Sequence, residues 1–233
     1  MKNLIFVIVL LSAVWACKNA HAVKSDNSFQ PNYPLNRFES TIREYERRDS
    51  VLFPGTGNMV FGGSSSIFFW KTLANDMLPL IAVNYGFGGS TFPEVTYYAS
   101  RTILKNNPKA IIIYCENDLF MQQPKTPAQV LADYQQLVKT IRQTQPRTPL
   151  FFISLKPSPS RWKRWSESVE VNRLIREFGK SQKHHHYIDI VPCMMKNGRP
   201  DAVIFMANSL HMNAEGYVRW TNVIRPVLLE KCN

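Results

Sequence analysis

The chain is short of cysteine, of long apolar runs and of acidic side chains. Four cysteines in 233 residues are too few for a disulfide scaffold. Loss of a leader containing Cys17 would leave Cys115, Cys193 and Cys232, an odd number. Cys115 stands in an apolar strand-like run and reads as a buried thiol; a Cys193–Cys232 bridge is left open. The apolar run from Leu4 to Trp15 is too short to cross a bilayer as a helix. There is no internal repeat, no linker and no long insertion from which a lid could be built. Acidic residues number 17 against 28 basic ones. The basic residues are dispersed and no binding motif accompanies them, so nothing points to nucleic acid.

What is present first sets the compartment. Lys2, the short apolar run and Ala20-His21-Ala22 together have the form of a secretory signal peptide with its cleavage site. Residues 1–22 are read as that signal, and 23–233 as a single domain. Two other readings compete: a buried N-terminal helix, and a lipoprotein acylated on Cys17. The second sits badly with Trp15, where a small residue is expected. The expected location is periplasmic or secreted. Removing 1–22 takes away Lys2 and Lys18, leaving 26 basic residues against 17 acidic, a charge of +9. Such a charge suits anionic surroundings, such as envelope polymers or lipid head groups; solubility alone would explain it equally well. Hydrophobic residues at 45% and charged residues at 19% are ordinary for a globular domain of this size.

Periodicity gives the architecture. A mixed segment from Leu35 to Arg48 reads as a lead-in helix. Five short apolar runs follow: 58–63, 80–86, 109–115, 149–155 and 186–190. The third, Lys-Ala-Ile-Ile-Ile-Tyr-Cys, is continuously apolar, as a strand covered on both faces should be. Between them lie helices. Thr91-Phe-Pro-Glu94 and Thr126-Pro-Ala-Gln129 have the form of capping boxes with proline in the first turn. The first box should open a helix running toward Asn106. Another helix is expected over Glu167–Phe178. A last one follows Asn213, and Pro226 should end or kink it. Strands alternating with helices predict a three-layer α/β/α fold around a five-stranded parallel sheet, flavodoxin-like in class. In such sheets the site lies where the strands end.

Those ends carry Gly63-Ser64-Ser65-Ser66, then Asn84-Tyr-Gly-Phe-Gly-Gly-Ser90, then Cys115-Glu-Asn117-Asp118. Asn208-Ser-Leu-His211 lies in the loop before the last helix. Serines, a glycine turn, an amide and a histidine are the parts of an acyl-transfer site: nucleophile, oxyanion donors and base. Glycine-x-serine-x-glycine is absent, since position 67 is isoleucine; that disfavours the α/β-hydrolase elbow.

In order and position these four blocks resemble the SGNH/GDSL hydrolases. The likeness is closest to a secreted GDSL-like subgroup similar to platelet-activating-factor acetylhydrolases, whose members have a stretch like Ser154-Leu-Lys-Pro-Ser-Pro-Ser-Arg-Trp162. The resemblance implies Ser65 as nucleophile, with Ser66 its competitor. The backbone N–H groups of Ser65 and Gly89 and the side chain of Asn117 would be oxyanion donors, and His211 the base. It implies no cofactor and no metal. Two departures stand out. Cys115 occupies a position the family gives to glycine, and Asn208 the position it gives to aspartate. Asparagine can hold His211 in the working tautomer only if its carbonyl oxygen accepts the ring N–H; turned the other way it fixes the wrong one. Asp189 and Asp201 are the acids nearby in sequence.

Other features read as structural. Asp118 should bond backbone. His184-His185-His186 enters a strand, where neighbours point to opposite faces, so no metal site is expected there. Arg161, Lys163 and Arg164 follow the fourth strand and could line the cleft, but read as solvated. The sequence therefore predicts an exported serine esterase for short acyl groups, such as O-acetyl groups on glycans or small lipid esters. Its rivals are a catalytically weak or inactive carbohydrate- or lipid-binding protein on the same fold, and an O-acyltransferase using the same site.

Overall fold

The computed structural model describes residues 33–52 and 54–232. The expected signal peptide and Cys17 lie outside the described residues. A 3-10 turn, Leu35–Phe38, leads into α1 (Glu39–Val51). Then come β1 (Met59–Gly63), α2 (Ser65–Phe68), α3 (Leu73–Asp76), β2 (Ala82–Gly86) and α4 (Phe92–Tyr97). β3 (Ala110–Tyr114), α5 (Pro127–Thr144), β4 (Leu150–Ile153), α6 (Trp165–Lys180) and β5 (His185–Ile188) complete the main sheet. A single-turn α7 (Val191–Met194), a small hairpin of β6 (Met195–Lys196) and β7 (Arg199–Pro200), and α8 (Ala214–Cys232) close the chain.

The five strands are parallel, in the order β2-β1-β3-β4-β5. Central β3 explains the layering. All five of its residues are fully buried, and its side chains alternate between the two faces. Ile111 and Ile113 join a core built with α1, α4, α5 and α6. Ile112 and Tyr114 join one built with α2, α3, α7 and α8. Each such isoleucine contributes about 1.5–3 kcal/mol by leaving water. This is the α/β/α sandwich expected from the alternation.

Two helices depart from expectation. α4 stops at Tyr97 instead of running toward Asn106. A 3-10 turn, Ala99–Arg101, follows, and Asn106 and Asn107 adopt left-handed backbone that no helix can continue through. α8 is not ended by Pro226 but continues to Cys232. Pro226 and the carbonyl-bearing Asn222 both face solvent, where water can take the lost hydrogen bond. Ile224 and Leu228 meanwhile are fully buried on the inner face. Cys115, Cys193 and Cys232 are separate free thiols, which closes the question of a bridge.

Candidate active site

The chain reverses its direction of travel across the sheet between β1 and β3. The loops after those two strands therefore diverge and leave a crevice, the usual ligand position in open α/β sheets. Ser65 follows β1 and Asn117 follows β3, one on each side of it.

The backbone at β1's end is forced. Gly63 has φ +122°, and a Cβ there would stand 1.8 Å from the Tyr114 carbonyl oxygen. Only glycine lets the chain leave β1 this close to β3. The Ser64 N–H then donates to that carbonyl at 2.9 Å, and α2 begins at Ser65. The serines differ in access. Ser64 and Ser66 are 0% and 1% exposed, with hydroxyls that have no partner, whereas Ser65 is 8% exposed. α2 is one turn long, so any help to an anion comes from free N–H groups and not from a long helix dipole.

After β2 the chain turns through Gly89, φ +85°. The Gly89 carbonyl is held by Arg37 Nη2 at 3.0 Å, which turns the Gly89 peptide oxygen toward the lead-in segment. Arg37 also pairs with the fully buried Glu94 through both carboxylate oxygens. Glu94 in turn accepts the Thr91 N–H at 2.9 Å, closing the expected capping box at α4. Tyr33 reaches Thr91 Oγ1 at 2.6 Å. The segment before α1 thus clamps the glycine turn.

After β3, Asn117 opens a 3-10 turn, Asn117–Leu119. Its Nδ2 donates to the Ser90 carbonyl at 3.0 Å, tying it to the glycine turn. Cys115 fits where the family has glycine because its side chain turns into the core. Its thiol is fully buried, lies 3.1 Å from the same Ser90 carbonyl, and is pushed well above the ordinary pKa by burial. It is structural. So is Asp118, which accepts the Phe92 N–H at 2.9 Å and pairs with Lys125 at 2.9 Å.

His211 sits in a tight loop whose ends meet in a bridge between Phe205 and Met212. The Phe69 ring, in the residue that ends α2, lies edge-on to the imidazole at 4.7 Å. Burial, followed by the Lys156 and Arg161 charges, lowers the His211 pKa, with Glu116 opposing. Asn213 Oδ1 accepts the Gly216 N–H at 3.2 Å and so caps α8. Asn208 is the revealing residue. Its Oδ1 accepts the backbone N–H groups of Leu210 at 3.1 Å and His211 at 3.0 Å. Two backbone donors require an oxygen there, so the amide nitrogen is the atom that faces His211 Nδ1, at 2.8 Å. An NH₂ group can only donate, so Nδ1 accepts and the proton of the neutral ring resides on Nε2. The imidazole bonds Asn208 and not Ser65. Asp201 and Asp189 pair instead with Arg219 and Arg176, each at 2.9 Å.

Sequence reasoning missed a buried ionic cluster under the crevice. Arg161, expected in solvent, is only 16% exposed on its side chain. It meets Glu116 at 3.0 Å and Asn117 Oδ1 at 2.9 Å. Lys156, fully buried, bonds the same Glu116 carboxylate. Burial would raise the Glu116 pKa, but Arg161 and Lys156 outweigh it and hold the carboxyl ionised. The one available signal was Glu116 itself, a charge directly after a fully apolar strand, which demands a cation. His185 and His186 diverge as expected: one reaches Tyr134 Oη at 2.7 Å, the other stacks on Phe151 at 4.7 Å. Among the described residues no group of metal-ligating side chains converges.

A parallel sheet in the order 2-1-3-4-5, with Ser, Gly, Asn and His presented in sequence around its switch point, defines the SGNH type of α/β/α hydrolase fold. Residues 49–219 match the model of the GDSL-like Lipase/Acylhydrolase family, and the chain belongs to that family. It is 23% identical over 217 residues to the platelet-activating factor acetylhydrolase IB subunit alpha2 of Rattus norvegicus, covering 91% of this chain and 88% of that one. The GDSL-like lipase of Bacteroides thetaiotaomicron superposes with TM-score 0.66 at 14% identity, covering 82% of this chain and 98% of the other. The family 3 carbohydrate esterase of Clostridium thermocellum superposes with TM-score 0.55 at 14% identity, covering 76% and 98%.

Proposed function

We propose that the protein is an exported serine esterase of the GDSL type, slow in its resting form, acting on short acyl esters. Membership of an acylhydrolase family supports the reaction class. One observation supports the site: Ser65, Gly89 and Asn117 lie after the carboxyl ends of β1, β2 and β3, and His211 packs on Phe69, the residue that ends α2. Ser65 Oγ attacks the ester carbonyl carbon as its proton passes to His211 Nε2. The carbonyl electron pair moves onto oxygen, which the Ser65 N–H, Gly89 N–H and Asn117 Nδ2 receive. Collapse expels the alcohol, which takes the proton from His211. Water repeats the sequence on the acyl-serine and releases the acid. Acetyl is the favoured acyl group: the rat relative is named an acetylhydrolase, and the carbohydrate esterase fold neighbour agrees with a glycan O-ester as one source. The expected signal sequence favours a periplasmic or secreted location, with which a net charge of +9 is compatible.

The weakness lies in His211. A ring protonated on Nε2 cannot accept from Ser65, so turnover passes through the other tautomer, with the Asn208 amide turned. That same orientation favours a second reading, a binding protein that retains the crevice without turnover. Hydrolysis of p-nitrophenyl acetate, butyrate and octanoate by wild type and Ser65→Ala separates the two. The esterase reading expects activity that falls with chain length and vanishes in the variant. Equal activity in Ser65→Ala would discard it.

A further inference from the structure

We propose that Arg161 is a positioning residue of the oxyanion hole, fixing the Asn117 side chain so that one amide proton faces the crevice; this rests on reading Asn117 as an oxyanion donor. A primary amide has one acceptor oxygen and two donor hydrogens. Arg161 Nη2 occupies the Asn117 oxygen at 2.9 Å. The Ser90 carbonyl occupies one hydrogen at 3.0 Å. A half-turn of the amide would set NH₂ against guanidinium and oxygen against a carbonyl, so the orientation is enforced from both sides. What remains is one N–H, on a residue that is 8% exposed. The bond from Arg161 is charge-assisted, roughly twice as strong as a neutral one. By drawing electron density toward the oxygen it makes that N–H a better donor.

Arg161 is itself built in. Its Nη1 lies 3.0 Å from the buried Glu116 carboxylate, and its guanidinium covers the Phe120 ring at 4.1 Å. The preceding residue, Ser160, donates its N–H to the Ser209 carbonyl at 3.1 Å, in the loop that carries His211. The segment therefore braces the Asn117 side of the crevice against the His211 side. A lysine could pair with Glu116 or with Asn117, but it lacks the planar fork that meets both.

The test is a double-mutant cycle on ester hydrolysis with Arg161→Gln, Arg161→Lys and Asn117→Ala. Each arginine variant should lower kcat about 10- to 100-fold with KM unchanged, less than the ~10²–10³-fold loss when the donor itself is removed. In the Asn117→Ala background the same arginine changes should cost less than about twofold, because their effect runs through a side chain no longer present. Arg161→Lys keeps a counter-charge for Glu116, so it serves if the glutamine variant does not fold. An equal loss in both backgrounds would overturn the proposal, as would a change confined to KM. A second readout does not depend on turnover: the side-chain amide resonances of Asn117, identified by their absence in Asn117→Ala. Arg161→Lys should shift them and speed their exchange with solvent; unchanged resonances would overturn the proposal. Shifted resonances in a protein with no esterase activity would uphold the Arg161–Asn117 contact while discarding the esterase reading on its own account.

Discussion

Replacing Asn208 by aspartate should raise the rate of ester hydrolysis, by a factor that follows from the contacts of the Asn208 amide. The carboxylate would keep one oxygen on the Leu210 and His211 N–H groups, at the present 3.1 and 3.0 Å. Its second oxygen would replace the amide nitrogen 2.8 Å from His211 Nδ1. That oxygen can only accept, so the ring proton moves to Nδ1 and Nε2 is freed to take the Ser65 proton. In the wild type the same tautomer requires turning the amide and leaving two backbone donors facing NH₂. At the low end for partly solvated groups this costs roughly 2 kcal/mol in all, about a 30-fold penalty. The variant also places a charge beside the imidazolium that forms in the transition state. Residue 208 is exposed, so that pair contributes under about 1 kcal/mol, a factor of about three. The expected rise in kcat is therefore about 10²-fold. Serine proteases that lose the corresponding aspartate to asparagine set a ceiling of ~10⁴-fold. The pH profile gives a second readout. Burial and the Lys156 and Arg161 charges now hold the His211 pKa below its ordinary value, so the free base persists to lower pH. A carboxylate at 208 favours the charged ring and raises that pKa. The acid limb of kcat/KM should move to higher pH in Asn208→Asp, measured with p-nitrophenyl acetate across pH 4–8. If rate and limb both stay where they are, residue 208 does not govern His211.

Three further outcomes are expected. Asn117→Ala should lower kcat by about 10²-fold, roughly 3 kcal/mol on the barrier, with little change in KM, as loss of one oxyanion donor does; a change in KM alone would make Asn117 a substrate-binding residue. Arg37→Ala should release the Gly89 carbonyl and leave buried Glu94 without its ion-pair partner, lowering kcat and reducing stability by a few kcal/mol; an unchanged melting temperature and rate would show that the lead-in segment does not hold the turn. The exported protein should begin at Val23, read by intact-mass spectrometry; an acylated Cys17 at its N-terminus would replace the signal-peptide reading with the lipoprotein one.

Much of the fold was legible because β3 declares itself: an unbroken Ala-Ile-Ile-Ile-Tyr run is what a strand with two covered faces requires. The blocks carrying Ser65, Gly89, Asn117 and His211 were legible because each stands just beyond a strand or just before a cap. Helix ends were less so. α4 stops early at Tyr97, where a 3-10 turn takes over well before the left-handed Asn106 and Asn107, and α8 passes Pro226 because its inner face is anchored by Ile224 and Leu228. Neither fact is local to the residue concerned. The supporting charges were least legible. Arg37 acts across 52 residues on Gly89, and Arg161 across 44 on Asn117. Both look like surface residues until the fold brings a carbonyl or a carboxylate to them. The orientation of Asn208 belongs with these: both orientations were open in sequence, and the two N–H groups of a tight loop decide between them.

Ser65 is the proposed nucleophile, and covalent labelling reports on it without reference to any substrate. Wild-type protein treated with a fluorophosphonate, digested and sequenced by mass spectrometry should carry one adduct, on Ser65. Asn208→Asp should label faster and Ser65→Ala not at all. Labelling at Ser66, or equal labelling of Ser65→Ala, would contradict the site. No adduct on either wild type or Asn208→Asp would contradict the esterase and leave the binding protein.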